Sequence, residues 1–315
     1  MDGVSRVGRG SVALALLLGV SPAGGQELRF DVQGHRGCRG LAPENTLAAF
    51  ERALELEVTT LELDAQLTRD GVFVVYHDAR LNPKICFHDD GRKPRRRPIH
   101  QIDSAELADL DCGSRTLKKF PQQVPAPGAR IPRLEDVLDL AAGAAYDVGV
   151  SIELKQSVDE LPLPLDEALE RLLELLERRG LAERAIIQSR WSGVLAAVRE
   201  KAPAIDRALL VRLGKAKGRV ADGTATIVSR KAMWLRRSGV VKLQALGARV
   251  IPYTVNRRAA IEKMLDWGVD GVITDYPDRA LGAVRERRPR VKRGSSAGPQ
   301  GQRPGHRRPE AAALP

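Results

Sequence analysis

The sequence predicts an α/β fold, a TIM (β/α)8 barrel with a loop insertion after the strand that ends at His77. Two observations lead to this prediction. Strand-like and helix-like stretches alternate along the chain, which is typical of βαβ units and a parallel sheet. About eight strands fall within about 250 residues, which is the size of a single barrel. The 315 residues are 43% hydrophobic and 29% charged, a balance that can fill such a core.

The predicted strands are short apolar or alternating segments between turn residues. They are Arg29–Gln33, Thr60–Gln66, Val72–Tyr76, Asp147–Leu154, Ala185–Gln188, Ala208–Val211, Ala225–Val228, Arg249–Val255 and Gly271–Thr274. The predicted helices are Thr46–Glu57, Arg133–Ala144, Leu165–Arg179, Trp191–Lys201, Val240–Leu246 and Arg257–Trp267. We expect Asn45 to cap the first helix and Gly180 and Gly268 to follow the ends of two others.

Residues 1–25 have the order of a secretory signal peptide. Arg6 and Arg9 precede the apolar run Ser11–Val20, and the small residues of Ser21–Gly25 follow. The apolar run is too short to span a bilayer. We therefore expect an exported protein, periplasmic or secreted, without stable membrane insertion.

The folded domain is expected at residues 26–284, with the insertion at 79–130 and a basic, disordered tail at 285–315. The tail is rich in Arg, Pro, Gly and Ser and cannot bury a core. It holds nine Lys/Arg and two Asp/Glu, a charge of +7 out of the net +11 of the chain. The basic run Arg92–Arg97 more than accounts for the rest. The body is thus close to neutral, and without stacking aromatics the charge does not indicate nucleic-acid binding.

The cysteine count is odd, so at least one of Cys38, Cys86 and Cys112 is unpaired. In an exported protein Cys86 and Cys112 could form a bridge, and three buried thiols are the alternative. The chain contains no CxxC or Cys/His spacing of the kind that binds zinc.

Acidic residues alternate with leucines in two of the predicted strands. Glu62 and Asp64 share one face of the first strand, and Glu153 and Lys155 share one face of the second. Since the leucine faces pack against helices, the acidic faces point into the barrel, where buried carboxylates need a compensating cation. Three carboxylates suit a hard divalent ion, Ca²⁺ or Mg²⁺. The alternative is a structural salt-bridge network with Arg36 and Lys155.

Two histidines, His35 and His77, each follow a strand close to this acidic mouth. A single histidine in such a position is usually a packing or capping residue. Two of them can form an acid–base pair, because imidazole both accepts and donates a proton near neutral pH. Asp78 could orient one of the rings or be a turn residue.

Ten short motifs occur in order along the chain. They are Gly34–Gly37, Pro43–Thr46, Leu61–Asp64, Thr68–Gly71, His77–Asp78, Ile131–Glu135, Ile152–Lys155, Gln188–Ser189, Thr254–Asn256 and Gly268–Asp275. In order and spacing they resemble the glycerophosphodiester phosphodiesterase family, and in particular its exported bacterial branch. The resemblance extends from about Val32 to Pro277, nearly the whole predicted barrel.

The resemblance implies a TIM barrel that hydrolyses small-molecule glycerophosphodiesters to glycerol 3-phosphate and an alcohol. By the family pattern, a divalent metal would be held by Glu62, Asp64 and Glu153. The insertion at 79–130 falls where the family carries extra loop structure over the substrate.

The resemblance also assigns roles to the remaining site residues. His35 matches the general base and His77 the general acid. Arg36 would bind the phosphate, and Lys155 would be a second cation beside it. Glu44 matches a motif residue whose role, orienting or ligating, stays open.

Two departures from the family pattern affect the choice of alcohol. Tyr253 stands where a Trp commonly precedes Thr-Val-Asn, and Arg190 replaces a usual Phe. The preferred head group and the oligomeric state are left open. A lysophospholipase D-like lipid phosphodiesterase and a non-catalytic barrel that only binds its ligand are the alternative functions.

Overall fold

A computed structural model describes residues 30–211 and 216–287 of the chain. Numbered in chain order, the strands are β1 (Asp31–His35), β2 (Thr60–Leu67), β3 (Phe73–Val75), β4 (Phe87–His88), β5 (Leu110–Asp111), β6 (Gly149–Leu154), β7 (Ala185–Ser189), β8 (Asp206–Val211), β9 (Ile227–Arg230), β10 (Arg249–Val250) and β11 (Gly271–Thr274). The α-helices are α1 (Leu47–Glu55), α2 (Ser104–Ala108), α3 (Leu134–Ala142), α4 (Leu165–Glu177), α5 (Ser192–Lys201), α6 (Ala216–Ala221), α7 (Arg237–Gln244), α8 (Arg258–Asp266) and α9 (Pro277–Arg287).

Eight parallel strands form a nearly closed barrel, which confirms the predicted fold. Their order around the barrel is β10-β9-β8-β7-β6-β2-β1-β11. At the seam, backbone hydrogen bonds of 2.9–3.0 Å join the segments around β10 and β11, for example from Asp270 N to Val250 O. The carboxyl ends of all eight strands therefore meet at one mouth, where a TIM barrel carries its functional site.

The two faces of β2 lie in different surroundings, as the alternation predicts. Leu61 and Leu63 are fully buried in the large cluster between barrel and helices, together with Phe50 of α1. Glu62 and Asp64, on the opposite face, are buried inside the barrel. This separation is the consequence of side chains that point alternately to the two sides of a strand.

The cap predicted for α1 was wrong by one residue. Thr46 is the N-cap, and its hydroxyl accepts a hydrogen bond from Ala49 N at 3.3 Å. Asn45 instead donates from Nδ2 to Asp64 in the barrel, at 2.9 Å. The glycine predictions are confirmed, since Gly180 (φ 64°) and Gly268 (φ 68°) adopt the left-handed conformation just beyond α4 and α8.

The strand before the insertion is not a barrel strand. β3 pairs antiparallel with the end of β2 and stops at Val75, so His77 lies two residues beyond it. The insertion then folds against this short pair. It contains the β4–β5 ladder, helix α2 and a small hydrophobic cluster of its own. The disulfide between Cys86 and Cys112 ties it together, while Cys38 is buried and free.

Several predicted boundaries moved. Only Arg249–Val250 of the predicted strand Arg249–Val255 pairs as a strand, and the strand predicted at Ala225–Val228 lies at Ile227–Arg230. Helix α9 was not predicted from the sequence, and its buried residues are Pro277, Ala280 and Ala283.

Helix α9 also moves the start of the tail. Because it continues to Arg287, the predicted tail cannot begin at residue 285. The predicted signal peptide and the rest of the tail lie outside the described residues. In the described part, no helix has the length and apolar character needed to cross a membrane.

Candidate active site

A cavity of about 940 Å³ opens at the carboxyl ends of the barrel strands. Six of the seven predicted site residues line it. They are His35, Arg36, Glu62, His77, Glu153 and Lys155. The seventh, Asp64, is only 1% exposed, and one of its oxygens lies beneath the cavity next to Lys155. The structure thus brings all seven residues together.

A tight turn after β1 places the first two of these residues. Arg36 has a left-handed backbone (φ 53°), and its amide donates to Glu62 Oε2 at 2.9 Å. Neither flanking glycine can be replaced without a clash. A Cβ on Gly34 would lie 2.1 Å from Gly37 O, and one on Gly37 would lie 2.6 Å from the Ala49 carbonyl carbon. The Gly-His-Arg-Gly motif is therefore a steric requirement of this turn.

Three carboxylates meet where β2 and β6 run side by side. Asp64 is the register partner of Glu153. Glu62 lies two residues before Asp64 and therefore on the same face of β2. One oxygen from each of the three residues lies within 4.8 Å of the others. These are the residues and the oxygen donors from which the sequence predicts a site for a hard divalent cation.

The charge around this cluster is incompletely balanced. Lys155 Nζ lies 3.3 Å from Asp64 Oδ1 and 3.0 Å from Glu153 Oε1, and Arg36 Nε lies 3.2 Å from Asp64 Oδ2. The direct partners of Glu62 are neutral, namely the Arg36 amide and Gln188 Nε2 at 3.1 Å. The salt-bridge network considered as an alternative is present, but among residues 30–211 and 216–287 it brings no cation into contact with Glu62.

The titration of the three acids reflects this imbalance. Burial and the Asp64 carboxylate raise the pKa of Glu62, and burial raises the pKa of Glu153 as well. For Asp64 the pKa is lowered, because Lys155 and Arg36 outweigh the effect of burial. A bound dication would favour the ionised form of all three. The donor set therefore fits a divalent metal.

His35 is held by a carboxylate that the sequence analysis did not assign. Asp275, directly after β11, lies 2.5 Å from His35 Nδ1. Burial would raise the pKa of Asp275, but His35 and Arg39 hold it well below its usual value, so the carboxylate can only accept. Nδ1 must then be the donor, and Nε2 is free to accept a proton. Burial and the Arg39 charge lower the pKa of His35 to about 4, so the ring is neutral at neutral pH.

The second histidine has a more open position. His77 Nδ1 lies 2.7 Å from Asp78 Oδ1, which confirms that Asp78 can orient a ring. The hydrogen bond with His77 contributes most to lowering the pKa of Asp78 to about 2. The side chain of His77 is 32% exposed, compared with 10% for His35. The His77 ring is therefore close to solvent and held by the Asp78 carboxylate.

The role of Glu44, which the sequence left open, follows from its contacts. Glu44 Oε1 accepts from Arg36 Nη1 at 2.6 Å, and Oε2 lies 3.6 Å from Arg39 Nη1. Glu44 is thus a positioning residue for the two arginines, and it is not part of the three-carboxylate cluster.

Two further residues at the site were missed as individual residues. Asn256 donates from Nδ2 to Asp275 Oδ2 at 2.6 Å, and its Oδ1 accepts from the Asp275 amide at 2.9 Å. Arg39 donates from Nε to Asp275 Oδ1 at 2.6 Å. Asp275 and Asn256 both lie inside motifs that the sequence analysis identified. The available signal was that an acid directly follows the carboxyl end of a buried strand.

Comparison with known proteins places the chain among phosphodiesterases. The profile of the glycerophosphoryl diester phosphodiesterase family matches residues 35–279. The glycerophosphodiester phosphodiesterase of Caldanaerobacter subterraneus subsp. tengcongensis is 31% identical over 269 residues, which is 81% of this chain and 98% of the relative.

Solved structures agree in fold. A candidate glycerophosphoryl diester phosphodiesterase from Silicibacter pomeroyi DSS-3 superposes with a TM-score of 0.76 at 29% identity, over 82% of this chain and 93% of that one. An Oleispira antarctica phosphodiesterase, solved with its product sn-glycerol-3-phosphate, has the same fold, with a TM-score of 0.68 at 24% identity over 81% and 96% of the two chains.

Proposed function

This chain belongs to the glycerophosphoryl diester phosphodiesterase family, and we propose that it hydrolyses glycerophosphodiesters to glycerol 3-phosphate and an alcohol. It is an enzyme of the phosphoric diester hydrolase class, and its substrate is a small molecule. The main observation behind the more detailed proposal is that three carboxylates and two histidines with different partners converge on one cavity.

The proposed cofactor is a divalent metal, Ca²⁺ or Mg²⁺, held by Glu62, Asp64 and Glu153. When bound, such an ion neutralises phosphate charge and stabilises the additional charge of the transition state. Arg36 and Lys155 line the same cavity and are proposed to bind the phosphate oxygens. In the described structure both cations contact the acids of the cluster, which supports this role.

The two histidines are proposed to move the protons. His35 is the general base, because Asp275 fixes Nδ1 as the donor and leaves Nε2 to take a proton from the attacking oxygen. That oxygen belongs to water or to the neighbouring glycerol hydroxyl. His77 is the general acid, because it lines the same cavity and Asp78 holds its ring through Nδ1. It would give its proton to the departing alkoxide, which is otherwise a poor leaving group.

The activity is tested by glycerol 3-phosphate release from a panel of glycerophosphodiesters, before and after exhaustive chelation. We expect release to stop on chelation and to return with Ca²⁺ or Mg²⁺. A matched pair of variants tests the ligands: Glu62→Gln should lose metal binding in calorimetry, whereas Asp206→Asn, at the opposite end of the barrel, should keep it. Full activity of a metal-free preparation would refute the metal site. A barrel that binds these diesters without releasing product would be the non-catalytic alternative.

The assignment of acid and base is tested with two leaving groups. His77→Ala should reduce kcat about 10²–10⁴-fold with an alkyl alcohol, the usual range for a lost general acid. It should recover much of this loss with a nitrophenolate, which departs without a proton. His35→Ala should stay impaired with both. Recovery in the His35 variant instead would exchange the two roles, and losses of only a few-fold in both would make the histidines structural.

We also propose that the protein is exported. The charged, apolar, small order of residues 1–25 supports this, and so does the Cys86–Cys112 disulfide, since disulfides persist in oxidising compartments. Mass spectrometry of the native protein should find a mature N-terminus between Gly24 and Leu28. An intact N-terminus in a cytoplasmic fraction would contradict the proposal.

A further inference from the structure

A second cavity, of about 360 Å³, adjoins the main cavity at His77. It shares Arg36, Arg39 and His77 with the main cavity, but none of the three acids lines it. Its remaining walls come largely from two segments of the insertion, at residues 82–85 and 117–119. The insertion therefore forms a separate compartment next to one of the two histidines.

The charge of this compartment is positive and unbalanced. Lys84, Lys118 and Lys119 line it with exposed side chains, and within residues 30–211 and 216–287 none of them pairs with a carboxylate. The two acids in the same walls are already engaged. Asp78 holds His77 and accepts from Asn82 Nδ2 at 2.8 Å, and Glu44 holds the site arginines.

The position of the compartment relates it to one part of the substrate. In the function proposed above, on which this step depends, His77 protonates the oxygen of the departing alcohol. The alcohol must then lie against His77. The second cavity also contacts His77, and none of the three carboxylates lines it.

We propose that the second cavity is a head-group subsite that selects alcohols carrying a further anionic group, a phosphate or a carboxylate. Lys84, Lys118 and Lys119 are the specificity-determining residues. Opposite charge in a partly enclosed pocket favours such substrates over neutral or cationic ones, and the attraction weakens as salt screens it.

Two other cationic residues could bind the anionic group instead, and they provide the control for this proposal. Arg190 follows β7 and Lys231 follows β9, and both line the main cavity at the far wall from His77. Arg190 lies two residues beyond Gln188, and Lys231 two beyond Ser229, on the inward faces of their strands. If the anionic group lay on that wall, these two residues would determine the preference.

A matched pair of substrates separates the possibilities. Glycerophosphoinositol and glycerophosphoinositol 4-phosphate have the same alcohol and differ by one phosphate. At low ionic strength we expect the wild-type kcat/KM to be about tenfold higher for the phosphorylated substrate, since each exposed charge pair contributes a few-fold. Lys84→Gln/Lys118→Gln/Lys119→Gln should abolish that preference through KM while changing the unphosphorylated substrate by less than about twofold. The unchanged rate also shows that the variant folds.

The control variant, Arg190→Gln/Lys231→Gln, should keep the preference, and 0.5 M NaCl should reduce it in the wild type. The subsite is refuted if the wild type shows no preference, if the lysine variant retains it, or if the control variant loses it instead. Hydrolysis of the unphosphorylated substrate by the wild type supports the proposed function whatever the preference. Hydrolysis of neither substrate refutes both proposals.

Discussion

Asp275 is the residue at which a single substitution tests the proposed role of His35 most directly. Its carboxylate accepts from His35 Nδ1 at 2.5 Å, Arg39 Nε at 2.6 Å and Asn256 Nδ2 at 2.6 Å. Asp275→Asn keeps the shape of the side chain but removes its charge. The new amide can also donate to Nδ1, which would move the ring proton to Nε2 and block the base.

The size of the effect follows from the charge that His35 would acquire. When the ring takes a proton it becomes a cation beside the Asp275 carboxylate. Two unit charges about 4 Å apart interact by about 4 kcal/mol at an effective dielectric constant of 20. Since about 1.4 kcal/mol in the barrier is a tenfold change in rate, kcat should fall about 10³-fold. Arg39, whose other carboxylate partner in the described part of the chain is Glu44 at 3.6 Å, would repel the imidazolium and increase the loss.

The assay measures kcat with an alkyl and a nitrophenyl leaving group, for the single variants and the double variant His35→Ala/Asp275→Asn. The loss in Asp275→Asn should be the same with both leaving groups, because activation of the nucleophile does not depend on them. The double variant should lose no more than His35→Ala alone, since residues that act as a unit are not additive. Asp206→Asn, which removes a carboxylate paired with Arg249 at the other end of the barrel, should stay within about twofold of the wild type.

Two results would refute this reasoning. One is a kcat of Asp275→Asn within about threefold of the wild type, less than the loss of one hydrogen bond to a charged group would cause. The other is a double variant whose loss is the product of the two single losses. That result would mean that Asp275 acts on the reaction independently of His35.

Three further predictions concern stability. Ca²⁺ or Mg²⁺ at one hundred times its Kd should stabilise the wild type by about 2.7 kcal/mol and so raise its melting temperature in thermal-shift measurements. The melting temperature of Glu62→Gln should not change. Phe50→Ala should lower the free energy of unfolding by about 3–5 kcal/mol in urea titration, because Phe50 is fully buried in the main core. Cys86→Ala/Cys112→Ala should cost about 3 kcal/mol, since the bridge spans 26 residues; a reduced wild type that unfolds like the oxidised one would contradict this.

Local alternation in the sequence was enough to predict the central part of the site. Glu62 and Asp64 had to share a face of their strand, and Glu153 had to share a face with Lys155. Parallel packing of β2 beside β6 then brings Asp64 into register with Glu153. Alternation with period two indicates both the strands of the barrel and the shared face of the acidic residues, so both could be predicted from a single sequence.

The parts that were missed depend on contacts between distant segments. Asp275 reaches His35 across 240 positions of sequence, and nothing in the local pattern links the two. The antiparallel course of β3 and the internal fold of the insertion were missed for the same reason. The alternatives for Cys86 and Cys112 could be decided only once β4 and β5 were seen to pair.

The interior of the barrel is divided between two kinds of side chain, and this division explains where the chemistry lies. An apolar cluster inside the barrel contains Ile186 of β7, Ala208 of β8, Ile227 of β9, Ile273 of β11 and Ile251, which directly follows β10. The three acids Glu62, Asp64 and Glu153 come from β2 and β6 instead, next to His35 of β1. Burying apolar groups is favourable and burying charged groups is costly. The apolar cluster therefore stabilises the fold, and the acidic cluster destabilises it. A cation bound by Glu62, Asp64 and Glu153 would recover part of that cost, which is why ion binding and folding stability should rise and fall together in this protein.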